Sequence, residues 1–500
     1  MNEKSLIALD IGTSSVRAVL FSLDRKEIFS KSKNLPISYP KLSWVEQDAE
    51  FIWLATLDCL QQTFNEAKKR DLNILGLGLT NQRETAIAWD SNSHQTLSPA
   101  IVWQCRRTAA YCESLKNKHK MIKEKTGLFC DPYFSATKFE WMLKNVKAVQ
   151  NAYQKRTLKF GTVDTWIIWK LTQGMFFLTD PSNASRTMLY NIHTQTYDAE
   201  LCRLFSIEPE LLPEVKPSLS HFGHITLSNF PKTPIVSVLG DQQASLFAHC
   251  AGDQSIVKNT YGTGLFMMAH TGLKVINSSN LISTVAWKIK NQTTYALEGS
   301  IFSGASALKW LKNQLGILTD ELYLEDLVSQ IRSSEGLLFV PALTGLGAPF
   351  WASSARASFV NICSKHQQAH FCRSVLEALT FHSKAVFKEI QKEVPSQSFE
   401  SLSVDGGLSN INFLMEFQSS VLDIPVIRTS QTENTVQGIL NFSGLYFDLW
   451  DTHALIKDQK KGYIFEANYH DKNLNTTYDL WLKAVKQSIE FTNFQDNFCT

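Results

Sequence analysis

The chain has 500 residues, 44% hydrophobic and 19% charged, and its 49 Lys and Arg nearly cancel its 47 Asp and Glu, for a formal charge of +2. That balance offers no electrostatic case for nucleic acid or an anionic membrane surface. The N-terminal apolar run Leu6 to Leu9 stops at Asp10, too short for a signal peptide or a spanning helix, so a soluble, cytoplasmic protein without membrane insertion is expected. One core of this size would be unusually large, which predicts two domains, residues 1–250 and 251–500. The nine cysteines are scattered without a C-x-x-C pair, as in a reducing compartment.

In chain order, Leu6 to Phe21 reads as a β-hairpin whose turn carries Asp10, Gly12, Thr13, Ser14 and Ser15, with Arg17 on the return strand. Glycine lets backbone approach a phosphate and the hydroxyls add donors, although an ordinary hairpin uses the same residues. Asp48 opens a helical stretch to Arg70 with apolar residues at Phe51, Leu54, Leu57 and Phe64. Asn73 to Leu79 reads as a buried strand, and directly after it come Arg83 and Glu84, where open α/β sheets bind ligands. A cation beside an anion suits vicinal hydroxyls, while the pair alone is equally compatible with a solvated surface. Trp103 and Tyr133 follow short apolar or proline-marked segments, and each could be core or ligand wall. GTVDTWIIWKLTQG, residues 161–174, reads as a capped amphipathic helix.

In the middle of the chain, the apolar run Pro234 to Leu239 ends in Gly240-Asp241, and Gly262-Thr263-Gly264 repeats the Gly-Thr step of the first hairpin. A strand ending in an acid, followed by such a turn, can hold a reacting hydroxyl against a polyphosphate. Two halves of like construction suggest one ligand clamped between two lobes. Farther on, Cys363, His366, His370 and Cys372 could be drawn as a zinc site, but the histidines begin a periodic segment, residues 367–392, that reads as a long helix.

The strings NQRET from Asn81, IVWQCRRTA from Ile101, GTVDTWIIWK, NASRTMLYNIHT from Asn183, GDQQA from Gly240 and KNTYGTG ending at Gly264 resemble the FGGY family of carbohydrate kinases, and within it the glycerol kinases. YALEG from Tyr295, PALTGLGAPFW from Pro341 and VDGGLSNINFLMEFQS from Val404 are similar to the same family's second domain. The resemblance implies an α/β protein of two actin-like, ribonuclease-H-like domains with the active site in the cleft between them. It implies transfer of the ATP γ-phosphate to glycerol with Mg²⁺, glycerol meeting Arg83, Glu84, Trp103, Tyr133, Asp241, Gln242 and Phe266. It puts the nucleotide at Thr13, Ser14, Ser15, Arg17, Thr263, Ala305, Lys309, Gly407 and Ile411, with Asp241 as general base and Asp10 and Asp241 near Mg²⁺ held largely through water. A kinase of another small polyol and a weakened or non-catalytic glycerol-binding descendant are the alternatives, and a homo-oligomer is left open.

Departures from the family pattern gather at the adenine end. Ala305 and Lys309 stand where Gly and Gln are usual, with Gly304 available if the register slips by one, and Ile411 replaces an Asn expected to meet the base. One lost hydrogen bond at a partly buried site is worth about 0.5–1.5 kcal/mol, or up to about 3 if a base atom is left unpaired. An active enzyme should therefore show a raised KM for ATP and appreciable use of GTP and inosine triphosphate. Measured as kcat/KM at saturating glycerol, a preference for ATP above about a hundredfold would contradict the loosened base pocket.

Overall fold

The computed structural model describes residues 3–318, 320, 323–429, 433–459, 462–467 and 473–496. In the first half, strands β1 (Lys4–Ile11), β2 (Ser15–Ser22) and β3 (Glu27–Asn34) form an antiparallel meander. Helix α1 (Ala49–Lys69) then leads to β4 (Asn73–Asn81), which lies parallel to β1. Asp48 caps α1 by accepting from the amides of Glu50 and Phe51 at 2.9 and 3.2 Å. The buried stripe of α1 runs through Ile52, Trp53, Cys59, Leu60 and Phe64, and Leu54, expected inside, is 55% exposed. The reason is that β2 and β3 cover a face rotated from the one the large apolar residues alone suggest.

Two further expectations are corrected. Asp10 lies within β1, paired with Arg17 on β2, so the turn itself is confined to residues 12–14. Helix α2 (Ala136–Asn145) precedes α3 (Val163–Leu171), and α3 is not amphipathic: all its residues except Lys170 are buried. The Thr162 hydroxyl donates to Asp164 rather than capping the helix, at 2.5 Å, and Trp166 packs on Trp89 with ring centroids 5.4 Å apart. A helix enclosed on all sides needs no polar face.

Strand β5 (Ile235–Gly240) adds in parallel beside β4, giving the order β5-β4-β1-β2-β3. It runs straight into α4 (Asp241–Cys250). The second half repeats the plan with β6 (Ile256–Tyr261), β7 (Leu265–Gly272), β8 (Ile282–Ile289), β9 (Gln292–Ile301), α5 (Ala305–Asn313), α6 (Gln368–Glu393), β10 (Ser401–Asp405), α7 (Asn412–Leu422), β11 (Val426–Thr429), α8 (Asn434–Tyr446) and β12 (Gly462–Phe465). Its sheet order is β8-β9-β7-β6-β10-β11-β12, in which β9-β7-β6-β10-β11 has the pairing senses of the first sheet and β8 and β12 extend the edges. The hairpin turns after β1 and β6, each with a Gly-Thr step, therefore occupy equivalent places.

Helices α4 and α8 pack against each other where the halves meet. Although α8 lies late in the chain, it also lies on β1, β4 and β5 of the first sheet, so its apolar residues Val436, Ile439 and Phe442 share a core with Leu6, Ala8 and Leu239. On the other side, Asp405 at the end of β10 accepts from Ser245 and interacts with His249 on α4 at 3.2 and 3.1 Å. His366 and His370 serve local turns, their Nδ1 atoms accepting from the amides of Cys363 and Gln367 at 3.1 Å each. Among the described residues, no helix is long and apolar enough to cross a membrane.

The α4–α8 contact is close because residue 438 is glycine: a Cβ there would stand 1.9 Å from the Ala244 carbonyl oxygen. Gly438→Ala must push the helices apart, at a cost of about 1–3 kcal/mol or more. The thermal midpoint of the ligand-free protein should fall clearly; an unchanged midpoint would mean that α8 can withdraw from α4 freely.

Candidate active site

The carboxyl ends of β1, β4 and β5 converge at one end of the first sheet, bringing together Asp10, Arg83, Glu84 and Asp241. Arg83 and Glu84 are each 2% exposed, which removes the solvated-surface reading. Glu84 adopts a left-handed backbone conformation, φ 60°, which a non-glycine residue holds only when its surroundings fix it. They do: its carbonyl accepts from the Ser135 hydroxyl and from the ammonium of Lys138 on α2, both at 3.0 Å, and its carboxylate accepts from Arg186 Nε at 2.5 Å. Burial lowers the Lys138 amine to about 7.

Asp241 is the first residue of α4, and Arg83 Nε lies 3.3 Å from its Oδ1. The aliphatic stem of Arg83 passes over Gly240, where a Cβ would stand 2.7 Å from its Cγ and Cδ; glycine there makes the approach possible. Burial above all, with the charge of Glu84, raises the Asp241 carboxyl to about 6 against the opposing pull of Arg83, the Gln242 amide and Lys258. Gln242 follows, its side-chain carbonyl accepting from Lys258 of β6, which also donates to Thr260 at 2.7 Å.

Beside these polar groups stand three rings. Trp103 meets Tyr133 edge-on at 5.7 Å and Phe266 of β7 at 6.3 Å, and its indole donates to Thr13 at 2.9 Å. The Tyr133 hydroxyl lies 3.4 Å from Arg83. Of the seven residues expected around glycerol, Glu84, Asp241 and Tyr133 adjoin Arg83, Trp103 and Phe266 continue the row of rings from Tyr133, and the Gln242 side chain turns to Lys258, so both halves contribute to the set. A cavity of about 540 Å³ opens beside Trp103, Tyr133 and Phe266, walled in part by Phe302, Leu343 and Trp351.

Among the residues expected at the nucleotide, Thr13 and Ser14 lie in the first turn and Ser15 opens β2, the turn being closed by Gly12 N–H donating to Ser15 O at 3.0 Å. Arg17 is committed to Glu433 at 2.7 Å and Glu27 at 3.4 Å. Thr263 is exposed in the second turn, and the start of α5 is latched onto it: Ala305 N–H donates to Gly262 O at 2.9 Å and the Ser306 hydroxyl to Thr263 O at 3.0 Å. The close backbone approach falls at Gly304, not at Ala305, since a Cβ at 304 would lie 2.6 Å from Gly262 O. Lys309 is exposed on α5, Gly407 is exposed in the 3₁₀ turn after β10, and Ile411 is half-buried at the start of α7.

Asp10 presents a carboxylate with one oxygen, Oδ1, buried and without a hydrogen-bond partner. Burial first, then the charges of Asp241 and Glu433, raise its carboxyl to about 8. Two adjacent carboxylates, one with an orphaned oxygen, fit a divalent cation, because hard cations take oxygen donors and relieve such repulsion.

The residue reading assigned no role to Arg186, Lys138, Lys258 or Glu298. Glu298 is fully buried and contacts Arg83 and Arg186. The available signal was an acid inside the apolar strand YALEGSI, since a charge at such a place requires a partner.

Residues 5–248 match the N-terminal domain of the FGGY family of carbohydrate kinases, and residues 257–442 match its C-terminal domain. The chain is 39% identical over 488 residues to a glycerol kinase of Dichelobacter nodosus, covering 97% of this chain and 98% of the relative. It is 40% identical over 490 residues to a glycerol kinase of Aquifex aeolicus, covering 97% and 99%. The crystal structure of Plasmodium falciparum glycerol kinase with ADP superposes with a TM-score of 0.91 at 29% identity, covering 97% of this chain and 98% of that one. A gluconate kinase of Lactobacillus acidophilus shares the fold at TM-score 0.85 and 22% identity, covering 98% of each chain.

Because the Asp10 carboxyl is raised from 3.8 to about 8 by the fold, its contribution favours the folded state at low pH and is lost as pH rises toward 8. Asp10→Asn removes that penalty. In metal-free, nucleotide-free protein the variant's thermal midpoint should exceed the parent's at pH 8, by about 2–4 °C per kcal/mol relieved, with the gap closing toward pH 4. A variant less stable than the parent at pH 8 would refute the buried-charge account.

Proposed function

The chain belongs to the FGGY family of carbohydrate kinases, and we propose that it is a glycerol kinase, transferring the γ-phosphoryl group of ATP to glycerol to give sn-glycerol 3-phosphate. The observation that carries this reading is Asp241 set 3.3 Å from Arg83, beside the buried Glu84, with the Tyr133 hydroxyl 3.4 Å from the same Arg83 and Trp103 packed between the rings of Tyr133 and Phe266. Glycerol needs hydrogen-bond partners of both signs on one side and an apolar cover for its C–H edge on the other. Arg83 donates to hydroxyl oxygens, Glu84 and Asp241 accept from O–H groups, and the rings exclude water. A pocket built around paired hydroxyl contacts also rejects acceptors lacking one, because its buried polar groups would be left unpaired.

In the transfer step Asp241 accepts the proton of the attacking hydroxyl as that oxygen bonds to the γ-phosphorus and the bond to the bridging oxygen of ADP breaks. A carboxyl raised to about 6 is a stronger base than a free one and is still largely ionised at neutral pH. The two Gly-Thr turns, facing the cleft from equivalent strand ends, offer amides and hydroxyls to the polyphosphate. Asp10 and Asp241 would hold Mg²⁺ largely through its water shell, and the ion would neutralise charge on the transferring group. Phosphoryl transfer depends mostly on positioning and charge neutralisation, which a closing two-lobed cleft supplies.

Asp241→Asn keeps the shape of the site and deletes the base. Transfer should slow by roughly 10²- to 10⁴-fold, while glycerol binding, read by calorimetry, stays measurable. A variant within about tenfold of the parent kcat would exclude Asp241 as the base.

A further inference from the structure

Glu298 lies near the middle of β9, opposite Met268 on β7 and Ile282 on β8, and is 0% exposed. A carboxylate in that setting persists only if it is paired and hydrogen-bonded. Its partners come from the other half of the chain. Arg83 grips it with both terminal nitrogens, Nη1 to Oε2 at 2.7 Å and Nη2 to Oε1 at 3.3 Å, and Arg186 Nη2 reaches Oε1 at 3.0 Å. The Ser300 hydroxyl donates to Oε1 at 3.0 Å. Arg186 then turns its Nε to Glu84 at 2.5 Å, its guanidinium lying over the rings of Tyr133 and Phe134.

The two hydroxyl-binding side chains are therefore tied to one carboxylate, Arg83 directly and Glu84 through Arg186. We propose that Glu298 is a positioning residue for the acceptor: from the second half of the molecule it fixes Arg83 and Glu84 as a matched pair and keeps Arg83 from closing onto Asp241. This rests on the glycerol-kinase reading. The geometry explains why the anchor must be an anion placed on the far side. Arg83 already has Asp241 at 3.3 Å and Glu84 at 3.8 Å. With both Nη groups held by Glu298, only Nε faces those acids. Without Glu298, the neutral contacts of Nη1 with Gln243 at 3.2 Å and of Nη2 with Tyr133 at 3.4 Å are all that hold the Nη groups against the pull of Asp241 and Glu84, whose oxygens would otherwise accept from glycerol.

A role confined to stability would act differently, lowering the fraction of folded enzyme without altering how the folded fraction recognises glycerol. The test is steady-state kinetics on the full-length enzyme with glycerol and Mg-ATP each varied, for the parent, Glu298→Gln, Glu298→Asp and Arg186→Gln. Glutamine keeps the volume and one acceptor but loses the charge; aspartate keeps the charge with shorter reach. Glu298→Gln should raise the glycerol KM by about 10- to 100-fold, the scale expected when reacting groups are misplaced by an ångström or so, while the KM for ATP stays within about twofold of the parent value. Glu298→Asp should recover part of the glycerol affinity. Arg186→Gln should also raise the glycerol KM, and the double variant should lose less than the product of the two single losses, because both act through one network.

If Glu298→Gln folds poorly, the aspartate variant and Arg186→Gln carry the same comparison. An unchanged glycerol KM in the charge-removing variants, with kcat reduced only in step with the folded fraction, would overturn the proposal and leave the function standing. A parent enzyme that phosphorylates no glycerol would overturn the functional reading, and this proposal with it.

Discussion

Four charged side chains, Arg83, Glu84, Arg186 and Glu298, are each almost fully withdrawn from water where the two halves of the chain meet. Two cations and two anions cancel in sum, and every pair of opposite charge that touches does so at hydrogen-bonding distance or close to it. Burying such a group costs several kcal/mol unless its partners are placed well. The placement in turn depends on the strand ends of the first sheet, on β9 of the second, and on the adjoining rings. Loss of one member leaves the others as uncompensated charges, so the acceptor site and the junction of the halves share one interaction.

The rest of the architecture serves that junction from both sides. Each half supplies a meander followed by parallel strands, and each meander turns through a Gly-Thr step at the same place in its sheet. The duplication makes two backbone turns face one cleft, an arrangement suited to a polyphosphate. The first half has Asp241 directly after β5 and holds Glu84 at positive φ beside it, whereas Asp405 at the end of β10 in the second half is engaged by His249 and Ser245. Helix α8 and Glu433 cross the division between the halves, α8 by covering the first sheet and Glu433 by holding Arg17.

The same burial sets the chemistry. Arg83 and Arg186 are enclosed cations held by carboxylates, and the Lys138 amine donates to two carbonyls, while Arg186 keeps Nη1 buried without a hydrogen-bond partner. Asp10 and Asp241 are different, because their nearest strong neighbours include each other and the Asp10 carboxyl keeps one oxygen unmatched. The cost in stability falls on the residues that do the work.

Local features were legible from the chain itself: the hairpin after Lys4, the capped helix after Asp48, the strand before Arg83 and the acid ending the strand at Gly240 all follow from nearest-neighbour preferences and short periodicities. The resemblance of the quoted strings supplied an expectation for Arg83, Glu84, Trp103 and Tyr133, which composition and spacing left open between ligand contacts and surface pairs or core aromatics. Tertiary structure alone decided that α3 is enclosed, that Leu54 faces water and that the position with no room for a Cβ against the second turn is Gly304. It alone paired Arg83 with Glu298, which are separated by 215 positions. No local pattern encodes such a pair, because its energy depends on which groups lose water together, and that is settled only when the two sheets come into contact.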